Sequence, residues 1–505
     1  MPEYIQTLLV ITVLTGLTFS LMNKALVGNF DIQQLKKWQF SWFLMLYGAV
    51  LLKNIWFIAA AVFIIANLKL PAKSIQRVYV YLVLICTIPL IYEQIPGFAG
   101  IQNIIPLSYT NLMIMSLLLP VMITLKSPQK LFSIPTDKYI VLFITLLSLL
   151  QFRDNTITNA GRESFLFFID IFVPYYAITR LVNTQERLKM ALTALFIGII
   201  PFALIGVFEL LTSWFMYTSI APHIGYISSF NQYRDIRGGG LRAMAVFFGP
   251  IVLGYVMIYA GAILLYLQHF IKNRKLVLLA FGTVFLCLLA TKSRGPWIGF
   301  ALMLMMFIWT GRNGFGKLVK YGILGLGVLI LASLTPAGSK YVELLPFIGD
   351  ERADTFDYRA RLLENSMILF KKNPLFGDIN FRNTSEMESL RQGEGIIDVV
   401  NTYIGILLPY GLISLILFVG AFVFLVIRCR NIVKRPDIDI ESKLTGRILI
   451  SCIVGVMFTI FTVSSISYIP TFYWVLIALS SAYINIHKPK SVRINNELLQ
   501  KKVTP

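Results

Sequence analysis

Apolar residues come in long runs along this chain, not in alternation and not as one-face stripes. A helix that crosses a bilayer needs about 20 mostly apolar residues. About fourteen such runs stand out: 4–22, 39–68, 78–95, 106–125, 139–152, 164–179, 190–212, 243–268, 276–291, 295–311, 318–335, 401–427, 448–466 and 468–486. Lys53 interrupts the second, which reads as one span plus an interfacial piece, with Trp38 and Trp42 at headgroup depth. From 336 to 400 the pattern turns mixed and polar, and Arg359, Leu363, Met367 and Phe370 share a helical stripe there. The predicted fold is an all-α polytopic membrane protein of about 14 transmembrane helices with one large extracytoplasmic helical loop. Its predicted parts are an N-terminal bundle (1–335), the loop domain (336–400), C-terminal helices (401–487) and a tail (488–505).

Composition sharpens this. Hydrophobic residues make up 57% of the 505 and charged residues 14%, against about 45–50% and about 25% in soluble domains. A cytosolic enzyme, a secreted disulfide scaffold and a disordered chain are thereby excluded. The net charge is +20, but the bases sit in short clusters between apolar runs. That is a topology pattern, not a nucleic-acid footprint; anionic lipid and a phosphate-bearing substrate are the expected partners. Cys86, Cys287, Cys429 and Cys452 have neither CxxC spacing nor a nearby histidine, so no disulfide framework and no metal site are expected. The run Tyr4–Leu21 lacks a basic n-region and reads as a retained helix. With the N-terminus inside, 26 of the 45 Lys and Arg fall inside; of the other 19, eight lie in the long loop. The positive-inside rule then predicts both termini in the cytoplasm and an even number of spans.

The exceptions to the rule are informative. Arg234, Arg237 and Arg242 cluster before one outside-to-inside span, Lys292 and Arg294 sit in the tight turn TKSRGPW, and Arg352, Arg359, Arg361, Arg382 and Arg391 lie in the long loop. Arginine forks bind phosphate bidentately. Three outside segments thus present arginine at one membrane face, where snorkelling to headgroups is the plainer alternative. Asp170, inside the run FLFFIDIFVPYY, is a functional candidate by position alone, although pairing with a basic group is the first expectation.

These segments, LRAMAVFFGPIVLGY (241–255), TKSRGPWIGF (291–300), YRARLLENSMILFKKNPLFGDINF (358–381) and VVNTYIGILLPYGLISLILF (400–419), occur in an order that resembles the O-antigen ligase and O-antigen polymerase superfamily. The likeness spans roughly 140–430, and RESFLFFIDIFVPYYAITR (162–180) resembles an exopolysaccharide-associated subset. The resemblance implies a GT-C-like glycosyltransferase of the bacterial inner membrane, with its active site on the periplasmic face. Such an enzyme takes a glycan from undecaprenyl pyrophosphate and passes it to an acceptor sugar, with inversion, without metal or other cofactor, alongside other polysaccharide-assembly proteins. It also implies pyrophosphate binding by Arg242 and Arg294, a loop-helix arginine at Arg359 or Arg361, and a Pro-x-x-Gly element at Pro374 and Gly377. Ligases of the family carry His-Asn where this chain has Val400-Asn401. Asp398, one turn before Asn401 if the helix starts in this region, is the candidate base, with Glu394 next and His223 third.

The chemistry asks for the same groups. A departing pyrophosphate needs fixed positive charge, and an attacking hydroxyl needs a proton acceptor. Polymerase is the first reading, ligase the second. A flippase for the same lipid-linked glycan is the third; transporters tend to carry internal repeats, and none is visible in this chain.

Overall fold

The computed structural model describes residues 2–71, 74–97, 103–125, 130–224, 236–237, 240–343, 353–391 and 395–488. It is mostly helical, and eight of the described helices are long and apolar enough to cross a membrane, with three shorter apolar ones beside them. The first three helices are α1 (Glu3–Leu26), α2 (Ile32–Leu52) and α3 (Ile55–Lys69). Asp31 caps α2 through its carboxylate, and Lys53 ends it in a left-handed conformation (φ 55°). Asn54 then caps α3. Thr12 meets Tyr47 at 2.6 Å and Asn23 meets Gln39 at 2.9 Å, so α1 and α2 are antiparallel.

A first correction lies at 39–68, where the helical region begins earlier, at Ile32, and forms two separate helices that meet at Lys53–Asn54; Trp38 and Trp42 are buried within the protein at 1% and 0% exposure.

A second correction lies at 78–95. Only α4 (Gln76–Leu84) is helical. The chain then unwinds and forms an antiparallel hairpin, β1 (Tyr92–Pro96) with β2 (Asn103–Ser108). The unwound carbonyls find protein partners: Tyr468 donates to Ile88 at 2.6 Å and Tyr109 N–H to Ile91 at 2.9 Å. Non-helical backbone survives at membrane depth only when satisfied in this way.

The bundle continues through α5 (Tyr109–Thr124), α6 (Thr136–Asp154), α7 (Ile157–Leu181), α8 (Gln185–Thr212) and the short α9 (Tyr217–His223). It follows with α10 (Pro250–Leu267), α11 (Arg274–Ala290), α12 (Arg294–Trp309) and α13 (Gly314–Ser333). The 336–400 region holds α14 (Pro336–Glu343) and α15 (Ala353–Lys372). A small apolar cluster of its own, including Leu362, Phe381, Met387 and Ile397, holds that region together. The chain closes with α16 (Thr402–Lys434), α17 (Ile440–Phe461) and α18 (Ile469–Ile486).

The ends of the bundle can be traced by contacts. Tyr4 stacks on His223, with ring centroids 3.8 Å apart, at the end where α8 finishes. Asn29, just past α1, reaches the carbonyl of Phe270, beyond the far end of α10, at 2.6 Å. Lys488, past α18, bonds the carbonyl of Ser133 at that same far end. The first and last described residues therefore lie on opposite faces of the bundle. Lys24, Lys36 and Lys37, in the last turn of α1 and the first turns of α2, lie at that far end.

Candidate active site

An arginine turn occupies the near end of the bundle. Between α11 and α12 the chain reverses over Thr291–Ser293, with Lys292 left-handed (φ 45°). Ser293 stands at the N-cap of α12, but its side chain makes no cap bond there and points to the Thr291 carbonyl at 3.0 Å. Arg242 is buried in this turn. Its Nε donates to the Thr291 carbonyl at 2.9 Å and its NH2 to Ser293 Oγ at 2.7 Å. Arg294 is the first residue of α12. The two arginines named from the sequence thus meet in one turn, with Lys292 between them in the chain.

The segment carrying Arg242 is pinned on both sides. Ala243 N–H bonds the Ala290 carbonyl at 3.0 Å, and the Glu209 carboxylate accepts from Met244 and Ala245 N–H at 3.0 and 2.9 Å. Ala245 and Phe248 are also left-handed, at φ 46° and 51°. Strained backbone of this kind persists where surroundings enforce it and gathers at functional sites. The start of α12 adds the positive end of a helix dipole to the same spot. Arg234 and two of the three consecutive glycines lie outside the described residues.

Arg359, on α15, joins this group through the α17–α18 loop. Its NH2 donates to the Thr462 carbonyl at 3.1 Å, and Gly295 packs so closely on Thr462 that a Cβ there would overlap it. Desolvation holds the Arg359 guanidinium below its ordinary pKa, against the opposing pull of the Asp398 carboxylate. Arg361, two residues on, is exposed, and no bond of its own ties it to the others.

The same loop positions the candidate base. Ser464 Oγ bonds the Asp398 carboxylate and, at 2.7 Å, the Val399 carbonyl. Thr402 Oγ1 donates to the Val463 carbonyl at 2.8 Å, and Ser465 Oγ to Thr402 Oγ1 at 3.2 Å. Asn401 caps α16, its side-chain oxygen accepting from Tyr403 and Ile404 N–H at 2.9 and 3.3 Å. Asp398 is therefore not one helical turn above Asn401, because the helix starts only at Thr402 and the stretch before it is not helical. Both residues nevertheless line one cavity of about 780 Å³, together with Asp170, Arg382, Arg391 and Trp474. Arg242, Arg294, Arg359 and Arg361 are not among its lining residues. Arg359 and the start of α12 touch the 462–465 loop, and that loop's Ser464 and Ser465 line the cavity.

The remaining candidates resolve as follows. Glu394 lies outside the described residues. His223 is stacked on Tyr4 and is not in the cavity wall. Pro374 and Gly377 dock on the kink of α16. Leu412 N–H bonds the Pro374 carbonyl at 2.9 Å, Asp378 N–H bonds the Leu408 carbonyl at 2.7 Å, and Arg153 NH2 bonds the Gly377 carbonyl at 2.8 Å. Asp170 takes an amide partner, Asn111, not the basic one expected. Sequence reasoning missed Thr462, Ser464 and Ser465. A signal was present, since TVSSIS (462–467) places four hydroxyl residues between two apolar runs.

Residues 275–419 match the family model described as O-antigen ligase. That stretch runs from the start of α11 to the middle of α16. It contains Arg294, Arg359, Asp398, Asn401 and Gly377, and leaves out Arg242 and the 462–467 loop. No curated protein matches the chain. The chain is thus a mostly helical protein with helices long and apolar enough to cross a membrane, in which residues 275–419 are similar to the O-antigen ligase family.

Proposed function

We propose that this protein is an inverting, metal-independent polysaccharide polymerase that transfers a glycan from undecaprenyl pyrophosphate to the sugar end of an acceptor. The observation that carries the reading is that the turn holding Arg242 and Arg294 packs through Gly295 on the same loop that Arg359 bonds, whose next residues hold Asp398 at a cavity. An acceptor hydroxyl attacks the anomeric carbon. The new C–O bond forms as the bond to pyrophosphate breaks, and the hydroxyl proton passes to the Asp398 carboxylate. The leaving lipid pyrophosphate takes the electron pair and is held by Arg242, Arg294 and the α12 N-terminus. Arg359 positions the loop between the two halves. The basic residues of the far face support a reading in which that face is cytoplasmic and the cavity opens to the periplasmic side of the inner membrane.

The family description favours ligase as a second reading; Val400, in place of the histidine of the family's ligases, favours polymerase. Complementation of a strain lacking this protein separates them. Single repeat units in the null strain, with long chains restored by the wild type and not by Arg294→Ala, support a polymerase. Long chains left on the lipid carrier in the null strain mean a ligase. Movement of lipid-linked glycan across proteoliposomes without elongation means a flippase.

A further inference from the structure

Asp170 stands near the middle of α7, in a five-residue π turn, Phe168–Phe172. The extra residue in such a turn redirects the side chain, and these turns recur at functional sites. The only described residue that donates to its carboxylate is Asn111. Asn111 belongs to α5, which contains a second π turn, Ile114–Leu118. Its amide cannot turn round. The Asn111 side-chain oxygen already accepts from Ser108 N–H and Ser108 Oγ, both at 2.7 Å, so its NH2 must face Asp170. Among the described residues no Lys or Arg forms an ion pair with Asp170. A carboxylate at membrane depth is costly, and its place in a wall of the cavity gives it something to bind.

The cavity has the chemistry of a sugar site. Phe167, Tyr410, Tyr473 and Trp474 supply apolar faces, while Asp170 and Asp398 supply acceptors from different chain segments. Its volume lies within the range of small-ligand pockets, about 300–1,000 Å³. We propose that this cavity is the acceptor-glycan chamber, and that Asp170, aimed by Asn111, binds a hydroxyl of the acceptor sugar. The proposal rests on the glycosyl-transfer reading above and names the substrate half that the arginine turn does not hold.

The test uses the full-length protein in detergent and, as probe, the repeat-unit oligosaccharide released by mild acid from the lipid of the null strain. Binding is followed by tryptophan fluorescence, with Trp474→Phe identifying the cavity's share of the signal. The expected result is saturable binding by the wild type, at least tenfold weaker binding by Asp170→Asn, and an intermediate loss in Asn111→Ala, which keeps the carboxylate but frees it. Wild-type affinity in Asp170→Asn overturns the assignment. If Asp170→Asn does not accumulate, wild-type affinity in both Asn111→Ala and Asp170→Glu overturns it. Wild-type protein that restores polymer yet shows no saturable binding overturns the chamber while leaving the transferase standing. Failure of the wild type to restore polymer overturns the transferase itself.

Discussion

Replacing Gly411 by alanine tests how the loop region is held to the membrane bundle. Gly411 lies inside α16 with φ 75° and ψ −178°, at the kink that follows Pro409. An L-residue in that region of backbone space costs about 1–3 kcal/mol. The added methyl has nowhere to go, because it would stand well under 3.0 Å from the backbone of Leu375 and Phe376. Forcing an extra carbon into packed surroundings costs about another 1–3 kcal/mol. Relief requires the 374–378 segment to lift away. That breaks the Leu412–Pro374 and Asp378–Leu408 bonds, at 2.9 and 2.7 Å, worth about 0.5–1.5 kcal/mol each. The total is about 3–9 kcal/mol, reaching the exceptional end for one substitution. Once that segment lifts, α15 loses its anchor, and Arg359 loses its register against Thr462. Thermal unfolding in detergent and limited proteolysis of the 336–400 region measure the effect. Gly282→Ala, where a Cβ meets open space, is the control. An unchanged melting temperature and normal polymer yield in Gly411→Ala refute the docking argument.

Arg242→Lys and Arg294→Lys retain charge but lose the planar fork; polymer yield falls by tenfold or more in each, and normal yield removes the arginine turn from the mechanism. Ser464→Ala deletes a bond to the Asp398 carboxylate, so kcat falls several-fold with accumulation unchanged, and Asp398→Asn falls further; equal rates for wild type and Asp398→Asn leave the base elsewhere. The four native cysteines are buried, so membrane-impermeant maleimide labelling has a low background. Tyr4→Cys is labelled from the periplasmic side and Lys488→Cys is not; labelling of both from one side refutes the opposite-face placement.

Much of the architecture could be read from the chain, and the misses share a cause. Long apolar runs mark membrane helices because the bilayer asks only for length and apolarity. The arginine turn was visible because SRG between two apolar runs and Arg242 before Gly249-Pro250 each break the charge rule on their own. The 85–91 stretch was misjudged because hydropathy does not register whether a neighbour satisfies the backbone. Ile88 and Ile91 can leave the helix only because Tyr468 and Tyr109, far along the chain or across the hairpin, complete their bonds. The 462–465 loop was overlooked for a related reason. Its serines and threonine acquire meaning from Arg359, Thr402 and Asp398, none of which is near them in sequence.

The loop at 462–467 and Arg242 both lie outside the stretch that carries the family pattern. That stretch is consequently not a transplantable cassette. A chimera that exchanged only residues 275–419 between two such proteins would inherit half of each interlocking contact: Arg294 without its matched Arg242, and Asp398 without its matched Ser464. Exchange by recombination is tolerated only when the breakpoints fall outside 242–465. The heritable unit of this site is therefore nearly half the chain, larger than the segment by which it is recognised.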